Sequence, residues 1–321
     1  MTLADAFVLN WNCMQKKSAS AQSLLESGQA LLNQGQALLI ILLSMAVILV
    51  IVLSILSRSI TDVTITSREE EALRAFSAAE AGIEQALVAG PMSGTFDAAS
   101  FDAQVSQVAE GSNTFVSPLD VVAGDTATVW FVAHADDGSL ECSAAKPCFT
   151  GGTMRICWGR PGTPTDGVTT PALEASILYA ATPGDVGSIQ VARATFDPNT
   201  SRRSNNSFAA PDAGGCTIES ESYAFKKDLT LASLGIPAGV YGTQDGLQLA
   251  RMRFLYNTDG AQTFGADVNF PGNGVLPSQG KRVESTGIAG EATRKVEVYD
   301  LFADLPAPFD SVLFTPGGIT K

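Results

Sequence analysis

Residues 37–57 read ALLIILLSMAVILVIVLSILS, twenty-one positions without one ionisable side chain. As a helix rising 1.5 Å per residue, this run is about 31 Å long, close to the hydrocarbon thickness of a bilayer. A buried helix of a soluble protein normally keeps a polar stripe over such a length. A removable secretory signal has a shorter apolar region, of about 7–15 residues, followed by a small-residue cleavage site. Neither pattern is present, so the run reads as a membrane span. Nothing else in the chain is comparably apolar, which predicts a single-pass protein in contact with the lipid bilayer.

The span divides a 321-residue chain unevenly, and composition limits what the larger part can do. Acidic residues outnumber basic ones by 33 to 20, for a net charge of −13. Such a surface repels phosphate backbones, and no basic patch offsets it, so no specific nucleic acid is expected as a partner. One histidine, His134, serves the whole chain. Histidine-based metal sites and Ser-His-Asp catalysis are thereby disfavoured, and a G-x-S-x-G elbow is absent. No cofactor is implied, and the chain reads as a non-enzyme.

Lysine and arginine counts leave orientation open, because Lys16 and Lys17 precede the span while Arg58 and Arg68 follow it. Cysteines are more informative. Cys13 lies before the span, and Cys142, Cys148, Cys157 and Cys216 lie after it. Four cysteines in a turn-rich region fit two disulfides in an oxidising compartment, which places the N-terminus inside and the large part outside. Of the three possible pairings, Cys142–Cys148 as a loop staple and Cys157–Cys216 as a longer clamp are favoured. Four reduced, buried cysteines are the rival reading. The irregular spacing, without C-x-x-C, disfavours zinc.

Helical character continues beyond the span. From Arg68 to Leu87 strong helix formers dominate, and Gly90-Pro91 is a stop signal. Leu73, Phe76, Ala79, Ile83 and Leu87 recur three or four apart, a single apolar stripe on a polar helix. The packing surface expected from this stripe is Phe76, Ile83 and Leu87. Ile60–Thr66 is rich in β-branched residues and is the expected weak point. If unbroken, residues 37–88 form a rod about 78 Å long.

The order Gly35-Gln36-Ala37-Leu38-Leu39-Ile40, a span, then Ala75-Phe76-Ser77-Ala78-Ala79-Glu80-Ala81-Gly82 resembles the N-terminal region of type IV pilin-like proteins, in particular PilX-like minor pilins. The resemblance covers residues 35–88 only. It implies that a prepilin peptidase cuts between Gly35 and Gln36 on the cytoplasmic side, leaving residues 1–35 as a leader. It also implies that the exposed helix anchors the subunit in the membrane or packs in a filament core, with other pilin subunits and the assembly machinery as partners. Two features depart from the family pattern. Ile40 stands where most major pilins carry glutamate, as in minor members. The leader is long, and its Gly28-Gln29-Ala30-Leu31-Leu32 repeats the cleavage-site pattern, making Gly28 a second conceivable cut.

The fold class expected is therefore α+β: a long N-terminal transmembrane helix packed on a C-terminal antiparallel β-rich domain, pilin-like in plan. Residues 36–58 form the membrane half of the helix, 59–90 its amphipathic outer half, and 91–321 the extracellular domain. In that domain Phe96 to Val108 is read as a further short helix. Strands are expected at Thr126–Ala135, Thr153–Trp158, Glu174–Ala180, Ser188–Thr195, Leu247–Tyr256, Lys281–Gly287 and Thr293–Leu301. Asp136-Asp137-Gly138 and Ala289-Gly290-Glu291 are read as turns.

Other candidates reduce to structure. Gly274 to Gly280-Lys281 has the wrong spacing for a phosphate loop. Asp136-Asp137 and Asn257-Thr258-Asp259-Gly260 lack a calcium ligand ladder. Arg202-Arg203 reads as a solvated loop, His134 as an exposed strand-end residue, and Trp130 and Trp158 as sheet residues. Glu69-Glu70-Glu71 keeps the helix soluble outside the membrane or pairs with a neighbouring subunit. The function expected is a minor subunit of a type IV pilus or related filament. The alternatives are a pseudopilin of a type II-like secretion system and a membrane-anchored extracellular binding domain.

Overall fold

The computed structural model describes residues 3–268 and 274–303, with residues 3–36 as helical backbone only. One helix, α1, spans Leu3–Ala89. The β-branched stretch does not break it. Thr61, Thr64 and Thr66 each donate their hydroxyl to the carbonyl four residues back, at 2.9 Å, so their polar groups are absorbed by the helix itself. The helix ends where Gly90 turns left-handed, with φ at 85° and its N–H on the Ala86 carbonyl at 2.9 Å. This is the glycine cap that a helix C-terminus calls for.

The chain forms two compact units, Met1–Leu73 and Arg74–Lys321. The second holds the last turns of α1 and the strands. Met92–Phe96 (β1) and Ala99–Gln107 (β2) come first, then Thr114–Val116 (β3), Thr126–Trp130 (β4), Ala133–His134 (β5) and Leu140–Glu141 (β6). Thr153–Trp158 (β7), Ala172–Ala180 (β8) and Ile189–Phe196 (β9) precede the short helix α2, Thr200–Asn206. Cys216–Ile218 (β10), Glu221–Tyr223 (β11) and Phe225–Thr230 (β12) lead to α3, Ala238–Tyr241. Leu247–Leu255 (β13), Phe264–Asp267 (β14), Gly280–Ala289 (β15) and Ala292–Leu301 (β16) complete the described elements.

These strands make three four-stranded sheets, ordered β1-β2-β15-β16, β12-β7-β14-β3 and β4-β13-β8-β9, with ribbons β5-β6 and β10-β11. Their pairings are antiparallel, so the α+β class holds. The second and third sheets share one core, in which Trp158, Ile156 and Phe264 of one meet Leu173, Met252 and Phe254 of the other. This is the face-to-face packing of a sandwich. The first sheet has a separate core, shared with the end of α1.

Three expectations need correction. Residues 96–108 form no helix. Ala99, Phe101 and Ala103 are buried in alternation, the period of a strand, which alanine's small hydrophobic signal hides in the sequence. Asp97 and Ala98, at φ 45° and 60°, close the β1-β2 hairpin without the glycine that normally marks such a turn. The strand read over Thr126–Ala135 is divided, because Phe131 and Val132 both donate to the Gln248 carbonyl, at 2.9 and 3.2 Å. Two residues facing one is a bulge.

The third correction concerns the helix face. Ile83 is buried at 6% exposure, but Phe76 and Leu87 remain 43% and 40% exposed. The buried face is made of Ala75, Ala78, Ala79, Gly82, Ile83 and Ala86 instead. The sheet explains the choice. Phe101 fills the interface, and a Cβ on Gly82 would overlap its ring and Ser285. A Cβ on Gly287 would overlap the Ala75 carbonyl oxygen. Helix and sheet approach so closely that small residues are required on both sides.

Candidate functional site

From Ala37 to Ser57 every residue of α1 is exposed, including Leu42, Val47, Ile51 and Ile55. The helix from Ala37 is long and apolar enough to cross a membrane, and none of its most apolar stretch is buried. The Ser44 hydroxyl donates a hydrogen bond to the Ile41 carbonyl at 2.8 Å, so even this polar side chain is satisfied inside the helix. What remains is an apolar cylinder that no other described residue covers. Exposed apolar surface on this scale marks a site of membrane or protein contact. The expected cleavage pair, Gly35 and Gln36, and the leader before it lie outside the residues whose side chains are described.

In the β-rich unit, the exposed Phe76 and Leu87 flank the buried alanine face of the last turns of α1. The helix therefore presents two kinds of surface. One is of small residues and is consumed by the sheet, and the other is of large residues and is left open.

The cysteines sit in the β-rich unit at bonding distance. Cys142–Cys148 staples the loop after β6, with Cα atoms 5.3 Å apart. Cys157–Cys216 joins β7 to β10 across 6.3 Å. Cys157 is fully buried beside Ile218 and Tyr223, so this second link lies in a small apolar cluster of its own. Two such crosslinks favour an oxidising compartment.

Arg202-Arg203 is not a solvated loop. Both residues lie in α2, which Asn199 caps by accepting the Arg202 N–H at 3.1 Å. The Arg202 guanidinium donates to the fully buried Asp197 carboxylate at 2.7 and 3.0 Å, and to the carbonyls of Val168 and Thr170. It also lies over the Tyr256 ring, 4.2 Å from its centroid. Burial pushes the Asp197 carboxyl up, but hydrogen bonds from Arg202, the Asn199 N–H and Asn206 overcome it and leave the group below its usual range. The cluster is a structural clasp between β9 and the 163–170 loop, with its polar groups mutually satisfied. The run Asp197-Pro198-Asn199-Thr200 is a helix-start signal, and it was the clue in the sequence.

His134 is half-buried rather than exposed. It stacks on Phe302 with ring centroids 3.8 Å apart and meets Trp130 edge-on at 4.5 Å. Burial lowers its basicity. It forms one wall of a cleft of about 280 Å³, with Lys146 and Lys281 also lining it. Trp158 is fully buried, and its indole N–H donates to the Pro171 carbonyl at 3.1 Å. The acidic loops behave as turns. Asp137 accepts from Ser139, Lys146 pairs with Asp136 at 3.2 Å, and Asn257 bridges the Val121 and Gly260 carbonyls. Among the described residues, no three His, Cys, Asp or Glu side chains group to hold a metal ion. In comparisons with known proteins, no family model, curated protein or solved structure matches the chain.

Proposed function

We propose that this chain is a pilin-like minor subunit of a type IV pilus or related filament. A prepilin peptidase cuts it after Gly35, and the helix from Gln36 anchors the subunit until assembly. The observation that carries the reading is the charge-free, wholly exposed run Ala37–Ser57, continuous with a helix whose last turns are locked to a β-rich domain. A helix of this kind has its backbone hydrogen bonds closed within itself, so it is at home in lipid and equally against other helices of its kind. Transfer from bilayer to filament core exchanges one apolar neighbour for another. The β-rich domain, with its crosslinks at Cys142–Cys148 and Cys157–Cys216, faces the extracytoplasmic side, and the N-terminus faces the cytoplasm.

The test is mass spectrometry of the protein purified from its native membrane and from sheared surface fibres. The reading requires a mature chain beginning at Gln36, with Gly35→Leu abolishing the cut. A chain that retains residues 1–35 and occurs only in membranes overturns the filament role and leaves an anchored extracellular domain.

A further inference from the structure

The first sheet ends on β16, and among the described residues β15 is the only strand paired with it. The pairing runs from Gly280–Leu301 to Ala289–Ala292 without a shift of register, so the edge is unbroken over its 10 residues. Its hydrogen-bonding parity is set just past its end, where the Phe302 N–H donates to the Gln279 carbonyl at 3.1 Å. By alternation, Asp300, Val298, Val296, Arg294 and Ala292 bond to β15. Thr293, Lys295, Glu297 and Tyr299 then aim their main-chain groups away from the sheet, and all four are exposed.

Proteins normally protect such an edge with proline, a bulge or charge. β16 has no proline and no bulge. It does carry charge, but the signs are arranged to match rather than to repel. Lys295 and Glu297 stand two positions apart, with their side chains on the sheet face that also bears Arg282 and Glu284. Arg282 meets Glu297 there at 2.8 Å and Lys295 meets Glu284 at 2.6 Å, which holds both β16 charges on that face. Val296 and Val298 turn the other way, toward the core shared with α1.

An antiparallel second copy of β16, related by a twofold axis at Val296, sets Lys295 against the second copy's Glu297 and Glu297 against its Lys295. Thr293 and Tyr299 pair in the same manner. Moving the axis by one residue sets Glu297 against Glu297, or Lys295 against Lys295. Moving it by two leaves no opposite charges face to face. Opposite charges across a strand pair stabilise it and like charges directly opposite destabilise it, so the side chains select one register of self-pairing.

We propose that β16 is a docking edge for a second copy of this chain, joined antiparallel about Val296 so that the first sheet runs on from one copy into the other. The contact is isologous and closes on itself, so it makes pairs rather than fibres. It uses no residue of the 37–57 run, and its failure leaves the filament reading as it was.

Register-specific crosslinking of the full-length protein in detergent tests it, in a chain carrying Cys13→Ser. On the axis, Val296 faces its own copy in a pair with Cα atoms about 4.5 Å apart, a distance that a disulfide spans. Val296→Cys should therefore form a crosslinked dimer on mild oxidation, while Val298→Cys, set against Arg294, should give at least about tenfold less. Adding Lys295→Glu or Glu297→Lys to Val296→Cys should lower the yield at least about tenfold, because each now sets like charges against each other. Mixing these two variants should restore the crosslink between unlike chains, a recovery that misfolded subunits could not give. The proposal is overturned by an absent Val296→Cys crosslink in a chain that unfolds in urea like its parent. Equal yields from Val296→Cys and Val298→Cys overturn it too, as does a mixture that crosslinks no better than its components. If Val296→Cys does not fold, hydrogen exchange of the parent decides: protection of residues 293–299 must fall on dilution, and protection independent of concentration refutes the pairing.

Discussion

Residues 37–57 and the buried face of residues 75–86 belong to one helix and are both apolar, yet their chemistry is opposite. The first stretch is built of Leu, Ile and Val and is exposed at every position. The second turns one face of Ala, Gly and one Ile toward β2 and β15, and that face is buried against them. Large aliphatic side chains on all sides suit an apolar surrounding that adapts to them, as lipid does. Small residues on one side suit a partner fixed at close range. Apolarity alone does not distinguish a membrane segment from a core segment. Side-chain volume and its distribution around the helix do.

Substitutions can break this contrast from either side. The largest effect on the β-rich unit is expected from Ile83→Ala, which empties the one large buried position of the helix face. A loss of about 2–5 kcal/mol should appear in urea unfolding of that unit, with membrane association unchanged. Val47→Arg is the reciprocal experiment. It should cost about 2.5–3.5 kcal/mol of insertion in a translocon assay and leave the unfolding midpoint of the β-rich unit untouched. Gly287→Ala places a methyl against the Ala75 carbonyl, and overpacking of this kind costs about 1–3 kcal/mol, again in unfolding only. Phe76→Ala or Leu87→Ala should change stability of the isolated subunit by no more than about 0.5 kcal/mol, because these side chains are half exposed. A marked loss of fibre yield from the same two variants would sharpen the contrast by showing that these side chains serve assembly.

A pH titration addresses the first sheet without touching residues 37–57. Arg282 donates to Glu297 at 2.8 and 3.0 Å, and this hydrogen bond, aided by Tyr299, holds the Glu297 carboxyl down to about 2. A depressed carboxylate contributes stability that is fully present above its ordinary pKa and is lost as pH falls toward the folded value. The β15-β16 pairing should therefore weaken between pH of about 4.5 and about 2, by a small amount because the pair is near the surface. An NMR titration of Glu297 in the parent and in Arg282→Gln checks it, the midpoint rising toward the ordinary value in the variant.

Much of the β-rich unit was legible where strands are long and β-branched. β7 lies at Thr153–Trp158 as read, and β8, β9, β13, β15 and β16 differ from expectation by a residue or a few at their ends. Strands made of alanine or charge were not legible. β2 buries Ala99 and Ala103, and β12 reads Phe-Lys-Lys-Asp-Leu-Thr, in which Lys227 and Asp228 are held by Asp212 and Arg155 rather than by water alone. The role of Arg202 is hidden for the same reason. A cation whose partner is a buried carboxylate five residues away looks, in sequence, like one that faces solvent. His134 is the converse, a strand-end residue that becomes half-buried because Phe302, 168 positions later, stacks on it.

The sequence by itself determined that one segment is too apolar for water, that the helix persists beyond it to Gly90, and that a turn-rich antiparallel unit follows. These are local matters of composition, capping and period, and they are written within a few neighbouring residues. The tertiary structure alone decided which face of the helix is consumed, that glycine must stand at 82 and 287, and that His134 lies against Phe302. Each of these depends on distances between residues far apart in the chain, and no local pattern records how closely two surfaces will approach.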